Sequence, residues 1–374
     1  MESVPMSASS IPNLLSLRGG ANGRGRGRAR GGLGRGGGPG SGPGPSHDAT
    51  IQGTDTDAAV SRLSAVELGY LSDPYARLFV QGPATRRLPI INRGTYTRTT
   101  AIDALVDRFL ASTSPDEPRQ IVSLGAGTDT RCLRLFASAQ HHRNIVYHEI
   151  DFPTIIARKQ AIIGSTSFLR TLLSTPEPLS PTTWHSHSLT PPDGGNNNTL
   201  TLHGLDLRTL TASTPPLPNL IPTAPTLLLS ECCLCYLPPQ HASAVLSHFS
   251  THLPRHHLGL VLYEPILPRD PFGKTMVSNL AARGIRMPTL DAYPAPADQE
   301  RRLREAGFAE VRARTVDGIW EGWVGEGEKE RVDSLEGGLD EVEEWRLLAG
   351  HYIVAWGWRG EMGDLDVGGG GGGG

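Results

Sequence analysis

The sequence is poor in the features that would place it in a membrane, outside the cell or on nucleic acid. Among its 374 residues there are four cysteines and a formal net charge of -3. This charge balance gives no overall attraction to nucleic acid or membranes, and the lack of any run of about 18 apolar residues excludes a transmembrane helix. The N-terminus has no charged segment followed by an apolar one, so no secretory signal is evident. We expect a globular cytoplasmic protein.

The cysteines also lack the spacing of a structural framework. Cys132 stands alone, and the other three cluster in Cys232-Cys233-Leu234-Cys235. No second pair elsewhere in the chain complements this cluster as a zinc site or a disulfide framework would require. We therefore predict free thiols in a reducing compartment and no metal site.

Glycine is abundant, but much of it stands near the two ends of the chain. The stretch Arg18–Gly44 is almost wholly Gly, Arg, Pro and Ser, and the last seven residues are all Gly. Such segments cannot bury enough apolar surface to offset the entropy lost on ordering. We predict disorder for residues 1–53 and 359–374.

Ordered structure is predicted to begin near Thr54, with a helical cap that spans residues 54–118. Asp55 or Thr56 is a suitable N-cap for the first helix of this cap. Apolar residues at helical spacing indicate a second helix over Thr99–Leu110.

Short apolar runs alternate with helical stretches in residues 119–358, which is typical of βαβ units around a buried parallel sheet. Two later runs, Ala309–Thr315 and His351–Trp358, are expected to complete the sheet. The Ser-, Pro- and Asn-rich segment 174–198 is expected to be a flexible insertion, and residues 268–345 a lid over the substrate. The predicted strands are Gln120–Gly125, Asn144–Ile150, Leu200–Gly204, Thr226–Ser230 and Gly259–Glu264, and the predicted helices between them are Thr130–Ser138, Phe152–Ala161 and Pro239–His252.

The glycine-containing turn after the first predicted strand is the first candidate for ligand binding. Gly125 and Gly127 let a ligand approach the backbone closely, and helix amides begin just beyond them. Thr130 stands where a dinucleotide-binding fingerprint has its third glycine, which disfavours a dinucleotide without excluding it. After the next strand, Asp151 is placed to accept both hydroxyls of a ribose. The alternative for Asp151 is a helix cap before Pro153.

Further polar candidates follow other strands and lie in the cap. Asp206 suits an adenine amino group, with a solvated turn as the alternative. Glu231 ends a fully apolar strand, and a buried carboxylate needs a ligand or an arginine beside it. Arg62 and Arg98 suit a carboxylate bound by paired hydrogen bonds, with surface solvation as the alternative. Tyr263, at the end of the fifth strand, is ambiguous between core and site.

Several sequence blocks occur in one order over residues 54–358. They are Ser64-Ala65-Val66 to Asp73-Pro74-Tyr75, Ile91-Asn92-Arg93-Gly94 to Arg98, Val122 to Thr130, Glu149-Ile150-Asp151-Phe152-Pro153, Asp206-Leu207-Arg208, Pro225 to Tyr236, Tyr263-Glu264, Asp270-Pro271-Phe272-Gly273, Ser334-Leu335-Glu336 to Glu344, and His351-Tyr352. Together these blocks resemble the leucine carboxyl methyltransferase family, and the ordered set is far more specific than any one block.

The resemblance implies a fold, a cofactor and a partner. The fold is an α/β, Rossmann-like class I S-adenosylmethionine-dependent methyltransferase with a seven-stranded, mostly parallel sheet and helices on both faces. Family members methylate the C-terminal leucine carboxylate of the catalytic subunit of type 2A protein phosphatase, so that subunit is the expected partner of this chain, itself expected to be a monomer. The family pattern implies that the cofactor contacts are Arg62, Arg98, Gly125, Asp151, Asp206, Leu207 and Glu231.

The reaction that the resemblance implies needs no general base. A C-terminal carboxyl group has a pKa of about 3.3–3.7 and is anionic at neutral pH. Catalysis is therefore expected from orientation and from exclusion of water. Arg98, Arg208 and Tyr263 are the candidates for orienting the carboxylates, and Arg208→Ala is expected to lower methylation more than cofactor binding.

Two other functions stay open on the sequence alone. A methyltransferase for a small-molecule carboxylate or hydroxyl would share the cofactor turn without needing residues 268–345. An RNA-binding adaptor would act through Arg18–Gly44, because Arg/Gly repeats bind nucleic acid by charge. That stretch is short and has no interleaved aromatic residues, so nucleic acid is at most an accessory partner.

Overall fold

The fold is built on one nine-stranded sheet. The computed structural model describes residues 46–138, 142–189, 197–253 and 257–360. The strands are β1 (Arg119–Leu124), β2 (Ile145–Asp151), β3 (Glu177–Ser180), β4 (Thr183–His187), β5 (Thr199–Gly204), β6 (Thr226–Glu231), β7 (His257–Pro265), β8 (Glu310–Thr315) and β9 (Tyr352–Gly360). Across the sheet they lie in the order β3-β4-β5-β2-β1-β6-β7-β9-β8.

Helices connect and cover the strands. They are α1 (His47–Glu67), α2 (Pro89–Ala111), α3 (Arg131–Ala137), α4 (Pro153–Ser165), α5 (Pro239–His252), α6 (Pro271–Ala282), α7 (Pro288–Ala292), α8 (Pro296–Glu305), α9 (Val316–Trp323), α10 (Glu326–Asp333) and α11 (Val342–Gly350). Proline occupies the first turn of six of them. The fixed φ of proline suits that position. The absence of an N–H costs nothing there, because an N–H in the first turn would have no hydrogen-bond partner within the helix.

The predicted sheet was right in class but wrong in two details. Over the described residues its strands number nine rather than seven, and it is less parallel than expected. β5, β2, β1, β6 and β7 form four parallel pairs, whereas the outer strands β3, β4, β9 and β8 join through four antiparallel pairs.

The two extra strands come from the segment 174–198, which was predicted to be a flexible insertion. There β3 and β4 form a hairpin, and β4 pairs with β5 from Thr183↔His203 to His187↔Thr199. Ladder hydrogen bonds satisfy the backbone of this polar segment, so it joins the sheet edge without the apolar run that sequence analysis looks for. Residues 190–196 of the segment lie outside the described residues.

The register of the central strands places three residues together. β1 pairs with β2 through Leu124↔Ile150 and with β6 through Leu124↔Ser230. The residues just after these pairs therefore emerge at one carboxyl edge, where α/β sheets bind ligands. They are Gly125, Asp151 and Glu231.

Two apolar clusters cover the two faces of the sheet. Side chains alternate along β1, so that Ile121 belongs to one cluster while Val122 and Leu124 belong to the other. Phe109 of α2 is fully buried in the first cluster, and Phe249 of α5 is fully buried in the second. These clusters hold both helical layers against the sheet.

Both helices of the N-terminal cap begin earlier than predicted. α1 begins at His47 rather than near Thr54, because Ser46 is its N-cap and the Ser46 Oγ accepts a hydrogen bond from the Ala49 N–H (3.3 Å). α2 begins at Pro89, ten residues before the predicted start.

The two segments predicted to be disordered therefore each contribute residues to a helix or strand where they join the rest of the fold. Residues 47–53 belong to α1, and residues 359–360 belong to β9. Apart from Ser46, the N-cap of α1, the rest of both segments, including the whole of Arg18–Gly44, lies outside the described residues. Within the described ranges no helix combines the length and apolar character needed to cross a membrane.

Candidate functional site

A cavity of about 840 Å³ lies at the carboxyl edge of β1, β2, β5 and β6, and residues of α1 also line it. This volume falls within the range of small-molecule sites, about 300–1,000 Å³. The lining includes Arg208 and every residue for which cofactor contact was predicted. Those residues are Arg62, Arg98, Gly125, Asp151, Asp206, Leu207 and Glu231.

The turn after β1 has the backbone that its glycines predict. Gly125 and Gly127 have φ angles of 64° and 48°, in the left-handed region that glycine adopts without steric cost. A Cβ at Gly125 would lie 2.5 Å from the Sγ of Cys233, and a Cβ at Gly127 would collide with the carboxylate of Asp55. The close approach of Cys233 and Asp55 to this turn therefore requires glycine at positions 125 and 127.

Asp55 of α1 holds this turn from the opposite side. Its Oδ1 accepts a hydrogen bond from the N–H of Thr128 (2.7 Å), and its Oδ2 pairs with Arg158. Asp55 was predicted from the sequence only as a candidate helix cap. The contact was missed because the two residues are 73 positions apart and share no local motif.

Asp151 is fixed by two backbone groups. Its Oδ2 accepts a hydrogen bond from the N–H of Gly127 (2.8 Å), and its Oδ1 accepts one from the N–H of Phe152 (2.7 Å). Phe152, rather than Asp151, occupies the N-cap position of α4. Burial raises the pKa of Asp151 to about 6, although the two hydrogen bonds oppose the rise. The carboxylate is thus oriented at the strand end.

Arg208 lies between two carboxylates. Its Nε is 2.9 Å from both oxygens of Asp206, and its Nη1 and Nη2 lie 3.1 Å and 2.6 Å from the two oxygens of Asp48. Burial raises the pKa of Asp206, but the hydrogen bonds from Arg208 outweigh it and hold that pKa below its ordinary value. These contacts are consistent with a role for Arg208 in arranging this wall of the cavity, and the carboxylate-orienting role predicted for it stays a prediction.

Glu231 meets two arginines, in agreement with the expectation that a carboxylate here needs a partner. The Nε of Arg98 lies 2.7 Å from Oε1, and the Nη2 of Arg131 lies 3.4 Å from Oε2. Arg98 is only 6% exposed. Burial lowers the pKa of Arg98, but Glu231 outweighs this effect and raises it above its ordinary value, so the guanidinium stays charged.

Arg62 ties the N-terminal cap to the glycine-containing turn. Its Nη1 lies 3.2 Å from Asp73 Oδ2, and its Nη2 lies 3.8 Å from Asp129 Oδ1. Burial raises the pKa of Asp129, but Arg131 and Arg62 outweigh it and keep that pKa well below its ordinary value. Arg62 is buried like Arg98, so the alternative of surface solvation fails for both arginines.

Tyr263 lies behind the cavity wall and does not form part of it. Its side chain is buried, and its ring stacks on Tyr352 at a centroid distance of 5.5 Å. The guanidinium carbon of Arg98 lies 5.4 Å from the centroid of the same ring. Tyr263 therefore supports Arg98 through a cation–π contact, and its predicted direct contact with a carboxylate stays a prediction.

Some residues that line the cavity could not be identified as site candidates from the sequence. Arg283 and Arg286 stand between α6 and α7, and their exposed side chains line the cavity. Tyr236, buried in the turn after β6, also lines it. Nothing local marks these residues, because tertiary folding brings them to the strand ends. Across the residues with described positions, no group of three or more His, Cys, Asp and Glu side chains is arranged to hold a metal ion.

Comparison with known proteins gives consistent matches. The family model for leucine carboxyl methyltransferase matches residues 51–250. Leucine carboxyl methyltransferase 1 of Aspergillus fumigatus is 48% identical over 391 aligned positions that cover 96% of each chain. The protein of the same name in Emericella nidulans is 50% identical over 95% of each chain. The leucine carboxyl methyltransferase 1 homolog of Arabidopsis thaliana is 34% identical over 85% of this chain and 92% of its own.

Proposed function

The chain belongs to the leucine carboxyl methyltransferase family, and we propose that it methyl-esterifies the C-terminal leucine carboxylate of the catalytic subunit of type 2A protein phosphatase. S-adenosylmethionine is its methyl donor. One observation carries the proposal. A single cavity combines strand-end carboxylates, which suit a ribose and an adenine, with the buried cation of Arg98, which suits a carboxylate.

The lining of the cavity fits the cofactor. Gly125 and Gly127 bring backbone close to a ligand, and the two oxygens of Asp151 each accept one backbone hydrogen bond. A carboxylate has about four lone-pair sites, so Asp151 retains acceptors for two ribose hydroxyls. Asp206 is oriented by Arg208 and suits the amino group of an adenine. When bound, the cofactor supplies a methyl group on a positively charged sulfur.

Arg98 is the residue that we assign to orienting the attacking carboxylate. Its Nε faces Glu231, and the planar guanidinium has two further nitrogens as donors. If the group holds one substrate oxygen, the other stays free to attack the methyl carbon, whereas a grip on both would damp their nucleophilicity. Because a C-terminal carboxyl group with a pKa of about 3.3–3.7 is already ionised, no side chain has to remove a proton.

The rate acceleration is then expected to come from orientation of the two reactants and from exclusion of water. Well-aligned intramolecular reactions gain roughly 7–11 kcal/mol in this way. α1 contributes to both effects because Asp48 and Asp55 bind it to the turns after β5 and β1. Arg98 is preoriented by Glu231 on one side and by the Tyr263 ring on the other.

Arg283 and Arg286 support entry of an anionic chain end. Both are exposed and both line the cavity. Cationic side chains at the entrance of a cleft raise the local concentration of anions and speed their association. A peptide carboxylate would meet these arginines before the buried Arg98.

Labelled cofactor tests the substrate assignment. We would incubate the purified chain with it and with the phosphatase catalytic subunit, either intact or lacking the terminal leucine. We expect base-labile label on the intact subunit and none on the truncated one, and small carboxylic acids should not accept the methyl group. Equal label on both subunits would rule out the leucine carboxylate as acceptor.

We also propose that the chain works in the cytoplasm. All four cysteines are free thiols, which suits a reducing compartment. Imaging of a tagged chain tests the location, and accumulation in a secretory compartment would contradict it.

A further inference from the structure

The turn after β6 carries a pair of cysteines that the methyl transfer does not use. Cys232 and Cys235 are separated by two residues, and Cys232 lines the cavity while Cys235 does not. Cys232 has a φ of 49°, a left-handed backbone that is uncommon for a residue with a side chain. Such strained positions cluster at functional sites.

Local geometry brings the two thiols together. The 3₁₀ helix Leu234–Tyr236 begins just after Cys233, so the chain turns tightly over the two residues between Cys232 and Cys235. Burial raises the pKa of the Cys235 thiol, and the neighbouring Cys232 raises it further, so the two side chains lie close enough to interact. Cys233 points elsewhere, because its Sγ packs against Gly125.

The two thiols differ in access. Cys235 is 1% exposed, whereas Cys232 is only partly buried and reaches the cavity. Burial raises the pKa of Cys235 well above its ordinary value, so this thiol is a poor first nucleophile. An oxidant that enters the cavity would therefore meet Cys232 first.

We propose that Cys232 and Cys235 form a redox-sensitive dithiol, which a hydroperoxide closes to a disulfide and which weakens cofactor binding when closed. In the first step the sulfur of Cys232 attacks the peroxide O–O bond, which breaks to give a sulfenic acid and one water. In the second step the sulfur of Cys235 attacks the sulfenic sulfur, and a second water leaves with the proton of the Cys235 thiol. Overall, two thiols lose two electrons and hydrogen peroxide is reduced to two waters.

Closing the disulfide would disturb the cavity wall through the residue that directly precedes Cys232. Glu231 directly precedes Cys232, and its carboxylate holds Arg98. Bonding Cys232 to the enclosed Cys235 draws its sulfur from the cavity toward the core and rotates the intervening backbone. Glu231 would then lose its alignment with Arg98. Without this ion pair Arg98 would lose its position in the cavity wall, and we expect cofactor binding to weaken by about tenfold.

The test uses the full chain and hydrogen peroxide. We would map disulfides by mass spectrometry without reduction, and measure affinity for S-adenosylmethionine by calorimetry before oxidation, after oxidation and after reduction with dithiothreitol. We expect one new disulfide between Cys232 and Cys235, an affinity loss of about tenfold and recovery on reduction. These readouts need no methyl acceptor, so they stand apart from the proposed phosphatase substrate.

Two further variants test which cysteine is oxidised first and whether the response is specific to this pair. In Cys235→Ala, or in Cys235→Ser if the first variant folds poorly, cofactor affinity should be unchanged before oxidation. Its Cys232 should then accumulate sulfenic acid that dimedone traps, whereas the unaltered chain should give little adduct. Cys132→Ala removes a buried cysteine of α3 outside the cavity and should respond like the unaltered chain. A disulfide through Cys233, an adduct on Cys235 or full affinity in the oxidised chain would overturn the proposal.

Discussion

The guanidinium of Arg208 holds the carboxylate of Asp48 through two hydrogen bonds, at 3.1 Å and 2.6 Å, and so joins the first turn of α1 to the turn after β5. The same guanidinium bonds Asp206 in the wall of the cavity. A carboxylate in the first helical turn also interacts favourably with the helix dipole. One arginine therefore connects a carboxylate of the cavity wall with the helix that lines the same cavity.

Arg208→Ala should weaken cofactor binding. Both ion pairs of Arg208 are about one-third exposed, so solvent screening limits their strength and we expect a loss of roughly three- to tenfold in affinity. Calorimetry with S-adenosylmethionine measures it. Asp48→Asn, which keeps the Asp206 contact, is the matched control and should lose less. Full cofactor affinity with reduced methylation would support the carboxylate-orienting role first predicted for Arg208.

Cofactor affinity should rise between pH 5 and 7, because an ionised Asp151 accepts both ribose hydroxyls better than a protonated one. Burial raises the pKa of Asp151 from 3.8 to about 6. A carboxyl group with a raised pKa adds stability that is fully present below 3.8 and is lost as the pH passes 6. Stability and cofactor affinity should therefore change in opposite directions over this range.

Calorimetric titrations at several pH values test this dependence on Asp151. In Asp151→Asn the affinity should be lower and nearly independent of pH. An equal pH slope in the variant would assign the effect to another group.

Arg98→Lys should slow methylation while leaving the chain folded. Lysine keeps the positive charge but lacks the planar guanidinium that contacts Glu231 and that, in the proposed role, also holds a substrate carboxylate. We expect kcat/KM to fall by at least about tenfold, or about 1.4 kcal/mol of transition-state stabilisation. Steady-state kinetics with the phosphatase subunit measures the loss. Arg301→Lys, at an exposed position that is not part of the cavity lining, is the control. Similar kinetics for both variants would contradict the role of Arg98.

Lys159→Met should destabilise the fold. Lys159 and Glu149 form a buried ion pair at 2.5 Å, and the Lys159 Nζ also donates to the carbonyl oxygen of Asp129 (2.7 Å). Burial raises the pKa of Glu149 to about 7, although Lys159 opposes the rise. Removing the lysine leaves a buried carboxylate without its cation, at a cost of roughly 3–5 kcal/mol.

Denaturant unfolding at pH 8, where Glu149 would otherwise be ionised, measures that cost. The double variant Glu149→Leu with Lys159→Met removes both charges and should recover most of the stability. If the double variant is no more stable than Lys159→Met, the ion pair is not the cause.

The parallel centre of the sheet was predictable because its strands are apolar runs between helices. The predicted strand Thr226–Ser230 differs from β6 by one residue, and the predicted helix Pro239–His252 matches α5. The carboxyl-edge candidates followed from the same pattern, since strand ends are local features and parallel strands end at one edge.

The features of the fold and of the site that could not be predicted depend on contacts between residues far apart in sequence. Asp48 meets Arg208 across 160 positions, and no periodicity encodes that distance. The hairpin of β3 and β4 is polar, so it gave no strand signal. Tyr263 stands at a strand end, as a site residue would, but the packing of Tyr352 against its ring keeps it in the core.

The position of β9 has a consequence for the order in which the sheet assembles. β9 pairs with β7 over nine residues and with β8 on its other side, so that β7 and β8 leave the ribosome before the strand that joins them. Until then β7 exposes an apolar edge that can pair with another chain. Pairing over such a sequence separation is slow, so the exposed edge of β7 should stay open to other chains until β9 has been synthesised.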